Sequence, residues 1–149
     1  MYRFLECTVG KYMTSSVATV TRRMTLRELE ALFEQHDFNS FPVVEDGTML
    51  GIVTKFDFLG AFTFTTGEII PPYDELMNRP VGEIMTEAVW HVDPTAPLTR
   101  VLEQMVSLRT RSFPVVDAEG RLIGIISRED LMRALKEATQ ESLSQSKSL

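Results

Sequence analysis

A chain of 149 residues, 44% hydrophobic and 24% charged, has the composition of a globular protein and not of a disordered one. Its net charge of -6 speaks against a general nucleic-acid surface, and its apolar runs fall far short of the ~20 residues that span a bilayer. The single cysteine, Cys7, excludes an intramolecular disulfide and a multi-cysteine zinc site. The N-terminal stretch has an acidic residue and no small-residue cleavage site, so a cytoplasmic protein is expected.

In chain order, Val17 to Thr21 reads as a short strand. Thr25 to His36 reads as an amphipathic helix, because Leu26, Leu29, Leu32 and Phe33 share a face and Thr25 with Glu28 has capping-box spacing. Two apolar strands, Phe41 to Val44 and Met49 to Val53, flank Glu45-Asp46-Gly47 and predict a hairpin. A second helix opens at Thr54 and continues through Phe58, Leu59 and Phe62. The aromatics of the connector that follows predict a packed loop. Beyond it, Ala88 to Val92 reads as a strand. Pro97 suits the first turn of a helix with Leu98, Val101, Leu102 and Met105 on one face. Strands at Phe113 to Val116 and Leu122 to Ile126 precede a last helix, from Ser127 through Leu131, Ala134 and Leu135. The Ser- and Gln-rich tail, Ala138 to Leu149, is predicted to fray.

The second half repeats the first. Gly10-Lys11-Tyr12-Met13-Thr14 returns as Gly82-Glu83-Ile84-Met85-Thr86, and Ser40-Phe41-Pro42-Val43-Val44 as Ser112-Phe113-Pro114-Val115-Val116, both shifted by 72. Gly51-Ile52-Val53-Thr54-Lys55-Phe56-Asp57 returns as Gly124-Ile125-Ile126-Ser127-Arg128-Glu129-Asp130, shifted by 73, with the extra residue in the hairpin turn. The organisation read from this is an N-terminal segment (1–8), a first repeat (9–62), a connector (63–80), a second repeat (81–136) and a polar tail (137–149). The fold class is α+β, with two β-α-β-β-α repeats packed face to face about a pseudo-twofold axis.

Both repeats end their last strand with Gly, two apolar residues, Thr or Ser, two variable residues and Asp. A hydroxyl three residues before an acid at a helix start is first of all a cap. The same pair at a strand-to-helix junction also suits a ligand. A carboxylate accepts both hydroxyls of a ribose, the Thr or Ser bonds a sugar or phosphate oxygen, and the helix N-terminus adds positive potential. The two roles can coexist on the same side chains.

This arrangement resembles a tandem pair of CBS domains, also called a Bateman module, from about Val9 to Leu135. The resemblance rests on Tyr12-Met13-Thr14 with Ile84-Met85-Thr86, the duplicated Phe-Pro-Val-Val, and the two Gly-to-Asp stretches. It implies a regulatory binding module and not an enzyme, with clefts between the repeats for AMP, ADP, ATP or S-adenosylmethionine and no required cofactor. One site would use Ile52, Thr54 and Asp57 with Val89, Trp90, Arg111, Ser112, Phe113 and Pro114. The other would use Ile125, Ser127 and Asp130 with Thr14, Val17, Ala18, Asn39, Ser40, Phe41 and Pro42. A homodimer and an unknown output protein are the implied partners, with no membrane and no nucleic acid.

The two sites should differ, because Asn39 stands where the second repeat has Arg111, and Ala18 where it has Trp90. Arg111 suits a phosphate, and Lys55 and Arg128 adjoin the hydroxyl positions. Three readings of Trp90 stand: it stacks on a purine, a contact worth ~1–3 kcal/mol, it fills the cleft, or it is a packed strand aromatic. The alternative function is a dimerisation or partner-docking module whose clefts are filled by Trp90 and the apolar connector. His36 and His91 lie on different elements without a third ligand at metal spacing, Cys7 reads as a structural thiol, and the eight methionines read mostly as packing.

Overall fold

The computed structural model describes residues 3–64, 67–87 and 89–147, and for 141–147 the backbone alone. In chain order the elements are a 3-10 turn (Arg3–Glu6), α1 (Val9–Tyr12), α2 (Leu26–Gln35), β1 (Ser40–Glu45), β2 (Thr48–Thr54), α3 (Lys55–Gly60), α4 (Tyr73–Met77), a second 3-10 turn (Val81–Glu83), α5 (Leu98–Leu108), β3 (Ser112–Val116), β4 (Leu122–Ser127) and α6 (Arg128–Lys147). They form two units. The central unit is the continuous stretch Ala18–Val89, and the terminal unit joins the chain up to Val17 to the chain from Trp90 onward.

In the central unit α2 starts where the Thr25 hydroxyl accepts the Glu28 N–H at 3.2 Å and donates back to the Glu28 carboxylate at 3.2 Å. Its Leu26 and Leu29 meet Phe41 and Val43 of β1, Val53 of β2 and Met77 of α4 in one core. In the terminal unit Leu98, Val101 and Met105 of α5 meet Phe113 and Val115 of β3, Ile126 of β4, and Leu131, Ala134 and Ala138 of α6. Full burial of each valine, leucine, isoleucine, phenylalanine or methionine among them contributes about 1.5–3 kcal/mol, and each alanine less.

Both hairpins are antiparallel. Asp46 (φ 51°) and Gly47 (φ 82°) make the first turn, whose left-handed conformations match the strand twist. In the longer second turn Asp117 Oδ1 accepts the N–H groups of Glu119 (2.9 Å) and Arg121 (3.0 Å), and Gly120 takes φ 83°. The register slips at the same place in each hairpin, after Val43 and after Val115, so Leu50 and Ile123 are left without partners.

The expected first strands reduce to single parallel bridges, Val20 with Val43 and Val92 with Val115. Val20 donates to the Pro42 carbonyl and Val92 to the Pro114 carbonyl, each at 3.0 Å. The next rung would need an N–H from those prolines, which have none, so the ladder stops. Ala88, where the second of these strands was expected to begin, lies outside the described residues, as do Thr65 and Thr66 in the connector.

Other boundaries move too. α3 ends at Gly60, before Phe62, and Pro97 sits at the N-cap of α5 and not in its first turn. The connector is not simply a loop: α4 forms within it and buries Leu76 and Met77, while Ile69 and Ile70 are exposed. The tail expected to fray stays helical to Lys147, because Ala138 continues the buried face set by Leu131 and Ala134; Ser148 and Leu149 lie outside the described residues.

Neither unit is built from one sequence repeat alone. In the terminal unit Leu98 donates to Cys7, Val9 to Ala96 and Gly10 to Pro94, at 2.8–3.0 Å. In the central unit Leu26 donates to Arg79, Val81 to Met24 and Gly82 to Arg22, at 2.7–3.0 Å. These bonds are equivalent under the shift of 72. Each hairpin is therefore completed by the leading segment of the opposite repeat.

Gly51 lies where that segment crosses β2. A β-carbon there would run into the Thr86 carbonyl, which is backbone and cannot rotate away. At Gly60 a β-carbon meets nothing within 4 Å. Gly51→Ala should therefore lose about 1–3 kcal/mol, as overpacking does, while Gly60→Ala should be neutral or slightly stabilising. Urea midpoints at unchanged slope report both.

Candidate ligand-binding junctions

In the central unit Thr54 is the last residue of β2 and the N-cap of α3. Its N–H donates to Asp57 Oδ2 at 2.9 Å, and the Asp57 N–H donates to Thr54 Oγ1 at 3.0 Å. The cap thus occupies one carboxylate oxygen. The other, Oδ1, receives the Thr86 hydroxyl at 3.4 Å. Thr86 is held there because it exchanges two backbone bonds with Ile52, at 2.9 and 2.8 Å.

The terminal unit repeats the arrangement. Ser127 donates its N–H and its hydroxyl to Asp130 Oδ2, both at 2.9 Å, and the Asp130 N–H donates to Ser127 Oγ at 3.2 Å. Thr14, paired with Ile125 through bonds of 2.8 and 2.9 Å, donates its hydroxyl to Asp130 Oδ1 at 3.4 Å. One partner is new: Arg133 Nη2 lies 3.5 Å from the same Oδ1 and donates to the Tyr12 carbonyl at 2.9 Å. Asp130 is 4% exposed, and Asp57 is half-buried.

The capping role therefore leaves the second carboxylate oxygen of each aspartate outside the cap. An ionised carboxylate offers about four lone-pair sites, so Oδ1 can accept hydroxyls beyond the threonine's. The N-terminal potential expected of the following helix differs between the units, since α3 has six residues and α6 has twenty.

The backbones of Ile52 and Ile125 are engaged by Thr86 and Thr14, leaving their half-buried side chains. The Phe41 and Phe113 side chains are core groups, and Pro42 and Pro114 are buried beside them. Ser40 and Ser112 open β1 and β3 half-buried. Asn39 and Arg111 are exposed just before them, and their carbonyls accept the N–H of Lys55 and of Arg128, each at 3.0 Å. Val17, Ala18 and Val89 are half-buried. Trp90 is 64% exposed and is not a packed strand aromatic. It lines a shallow cavity of about 420 Å³ with Arg100, Gln104 and Leu108 of α5.

Sequence reasoning missed Thr86 and Arg133. Thr86 is the 72-residue counterpart of Thr14, and Arg133 lies one helical turn after Asp130, the spacing of an ion pair. Among the described residues no group of three or more His, Cys, Asp or Glu could hold a metal ion, and no helix is long and apolar enough to cross a membrane. The Cys7 thiol is buried and donates to the Arg3 carbonyl at 3.1 Å, and the His36 ring stacks on Phe38 at 5.2 Å.

Residues 9–63 and 81–137 match the CBS domain, and the chain belongs to that family. It is 35% identical over 133 residues to the uncharacterized protein MJ0188 of Methanocaldococcus jannaschii, covering 88% of this chain and 45% of that protein. It is 31% identical over 130 residues to the CBS domain-containing protein YhcV of Bacillus subtilis, covering 87% of this chain and 85% of the relative. Among solved structures, CBSX2 of Arabidopsis thaliana in complex with AMP superposes with a TM-score of 0.73 at 26% identity, covering 89% of this chain and 98% of that one. The α+β architecture is that of a CBS pair.

Tyr12 ties α1 to α6. Burial, and next the hydrogen bond its phenol donates to Glu137 at 2.8 Å, push its pKa from 10.0 up to about 12. Folding thus holds this proton more tightly than the unfolded chain does. The contribution is complete below pH 10 and disappears as pH rises towards 12. Tyr12→Phe should be less stable than the parent at neutral pH and should lose less stability between pH 10 and 12, as read from urea midpoints across that range.

Proposed function

We propose that this chain is a regulatory module that senses an adenosine-containing ligand, AMP, ADP, ATP or S-adenosylmethionine, and performs no catalysis of its own. The observation that carries the reading is the duplicated junction. In each unit a hydroxyl and a carboxylate sit together at a strand-to-helix turn, with one carboxylate oxygen committed to the cap and the other facing a threonine hydroxyl. A ribose presents hydroxyls of the same kind, and it binds by joining or replacing that threonine at Oδ1. Thr54 and Ser127 supply the neighbouring sugar or phosphate contacts. Ile52, Ile125, Val17, Ala18, Val89 and Trp90 supply apolar contacts to the purine. Asn39, Ser40, Arg111 and Ser112 supply polar ones, and Phe41, Pro42, Phe113 and Pro114 continue the strands that hold them in place.

CBSX2, the AMP-bound relative in fold, supports this ligand class. The rival reading, a docking module filled by its own side chains, needs Trp90 and the apolar connector to be packed, whereas Trp90, Ile69 and Ile70 are 64%, 94% and 64% exposed. The module acts in the cytoplasm as a homodimer read by a separate output protein. Ligand shifts it only by binding two arrangements with different affinity.

Titration calorimetry with AMP, ATP and S-adenosylmethionine tests the reading. At least one should bind, and the double variant Asp57→Asn, Asp130→Asn should abolish binding while keeping the caps, since an Asn side chain still accepts the N-cap N–H. A ligand at 100 times its dissociation constant should raise stability by ~2.7 kcal/mol. Undiminished binding by the double variant would sink the assignment.

A further inference from the structure

The two junctions differ at one position that the repeat makes comparable. Three residues after Asp130 stands Arg133, and three residues after Asp57 stands Gly60. The Arg133 guanidinium lies 3.5 Å from Asp130 Oδ1, the oxygen the cap leaves over, and is steadied by the Tyr12 carbonyl at 2.9 Å and by the Tyr12 ring, 5.7 Å from its centroid. Asp130 Oδ1 therefore has one hydroxyl donor, Thr14, and a guanidinium within ion-pair range. Asp57 Oδ1 has the Thr86 hydroxyl at 3.4 Å, and among the described residues no cation pairs with it.

We infer that Arg133 makes the two sites unequal by holding the Asp130 carboxylate engaged, so that Asp57 is the primary acceptor for the ribose. The inference rests on the reading above that these junctions take a ribose. A neutral diol reaching Asp57 displaces or joins one long hydroxyl bond. The same diol reaching Asp130 meets a nearly buried carboxylate that already has a guanidinium beside it at 3.5 Å, so it has to share that oxygen with an ion pair. Arg133 is thus a positioning residue that sets the ratio of the two affinities. Gly60, by its lack of a side chain, is its counterpart in the open site.

Adenosine is the probe, because it carries the diol without a phosphate that Arg133 could attract. In calorimetry on the full chain, Asp57→Asn should weaken the tighter binding step by at least about tenfold, and Asp130→Asn should act on the weaker step instead. Arg133→Gln should tighten the weaker step. Gly60→Arg, placed where a β-carbon meets nothing within 4 Å, should weaken the tighter step as Asp57→Asn does. A tighter step that follows Asp130, or that falls equally with either aspartate, overturns the inference and leaves the ribose reading standing. Absence of heat with adenosine, AMP, ATP and S-adenosylmethionine in parent and variants alike overturns both.

Discussion

Each hairpin in this protein is completed by a threonine from a distant part of the chain. Thr86 pairs with Ile52 and Thr14 with Ile125 through two backbone bonds each. This pairing demands glycine at 51 and 124, where the crossing backbone leaves no room for a β-carbon. It also carries the threonine hydroxyls to the carboxylates that cap α3 and α6. The close backbone approach therefore accounts both for the glycine and for the hydroxyl held at the carboxylate oxygen that the local cap leaves over.

Much of the fold is legible in the residues. The Thr25–Glu28 box, the leucine spacing of α2 and α5, and the Asp-Gly turn each specify a local conformation that the core then uses. What fails to show is non-local. Gly10 to Thr14 and Gly82 to Thr86 match each other, so the duplication alone does not say which copy serves which hairpin. The first strands read well by composition, yet Pro42 and Pro114 lie in the partner strand and withhold the donor that would extend them. α4 is five residues long, too short to leave a periodic signal, and only the burial of Leu76 and Met77 explains it.

The candidate sites divide the same way. Thr54, Asp57, Ser127 and Asp130 lie within one short motif, so the hydroxyl and acid of each junction could be read directly. Thr14 came from the family resemblance, and its counterpart Thr86 was reachable only by carrying the symmetry through. Arg133 breaks that symmetry, because position 60 has glycine instead. Duplication makes the common machinery visible and hides the single-copy residue that tells the two junctions apart.

The interleaved construction also imposes an order of events during synthesis. The central unit is one uninterrupted stretch and can close as soon as it leaves the ribosome. The terminal unit has to wait, since Thr14 meets Asp130 across 116 positions and Tyr12 meets Glu137 across 125. At about 5–20 residues per second the leading segment stays without its partner strands for several seconds or more. During that interval Phe4, Val9 and Tyr12 are apolar surface without cover, so nascent chains on neighbouring ribosomes are most prone to entangle through this segment.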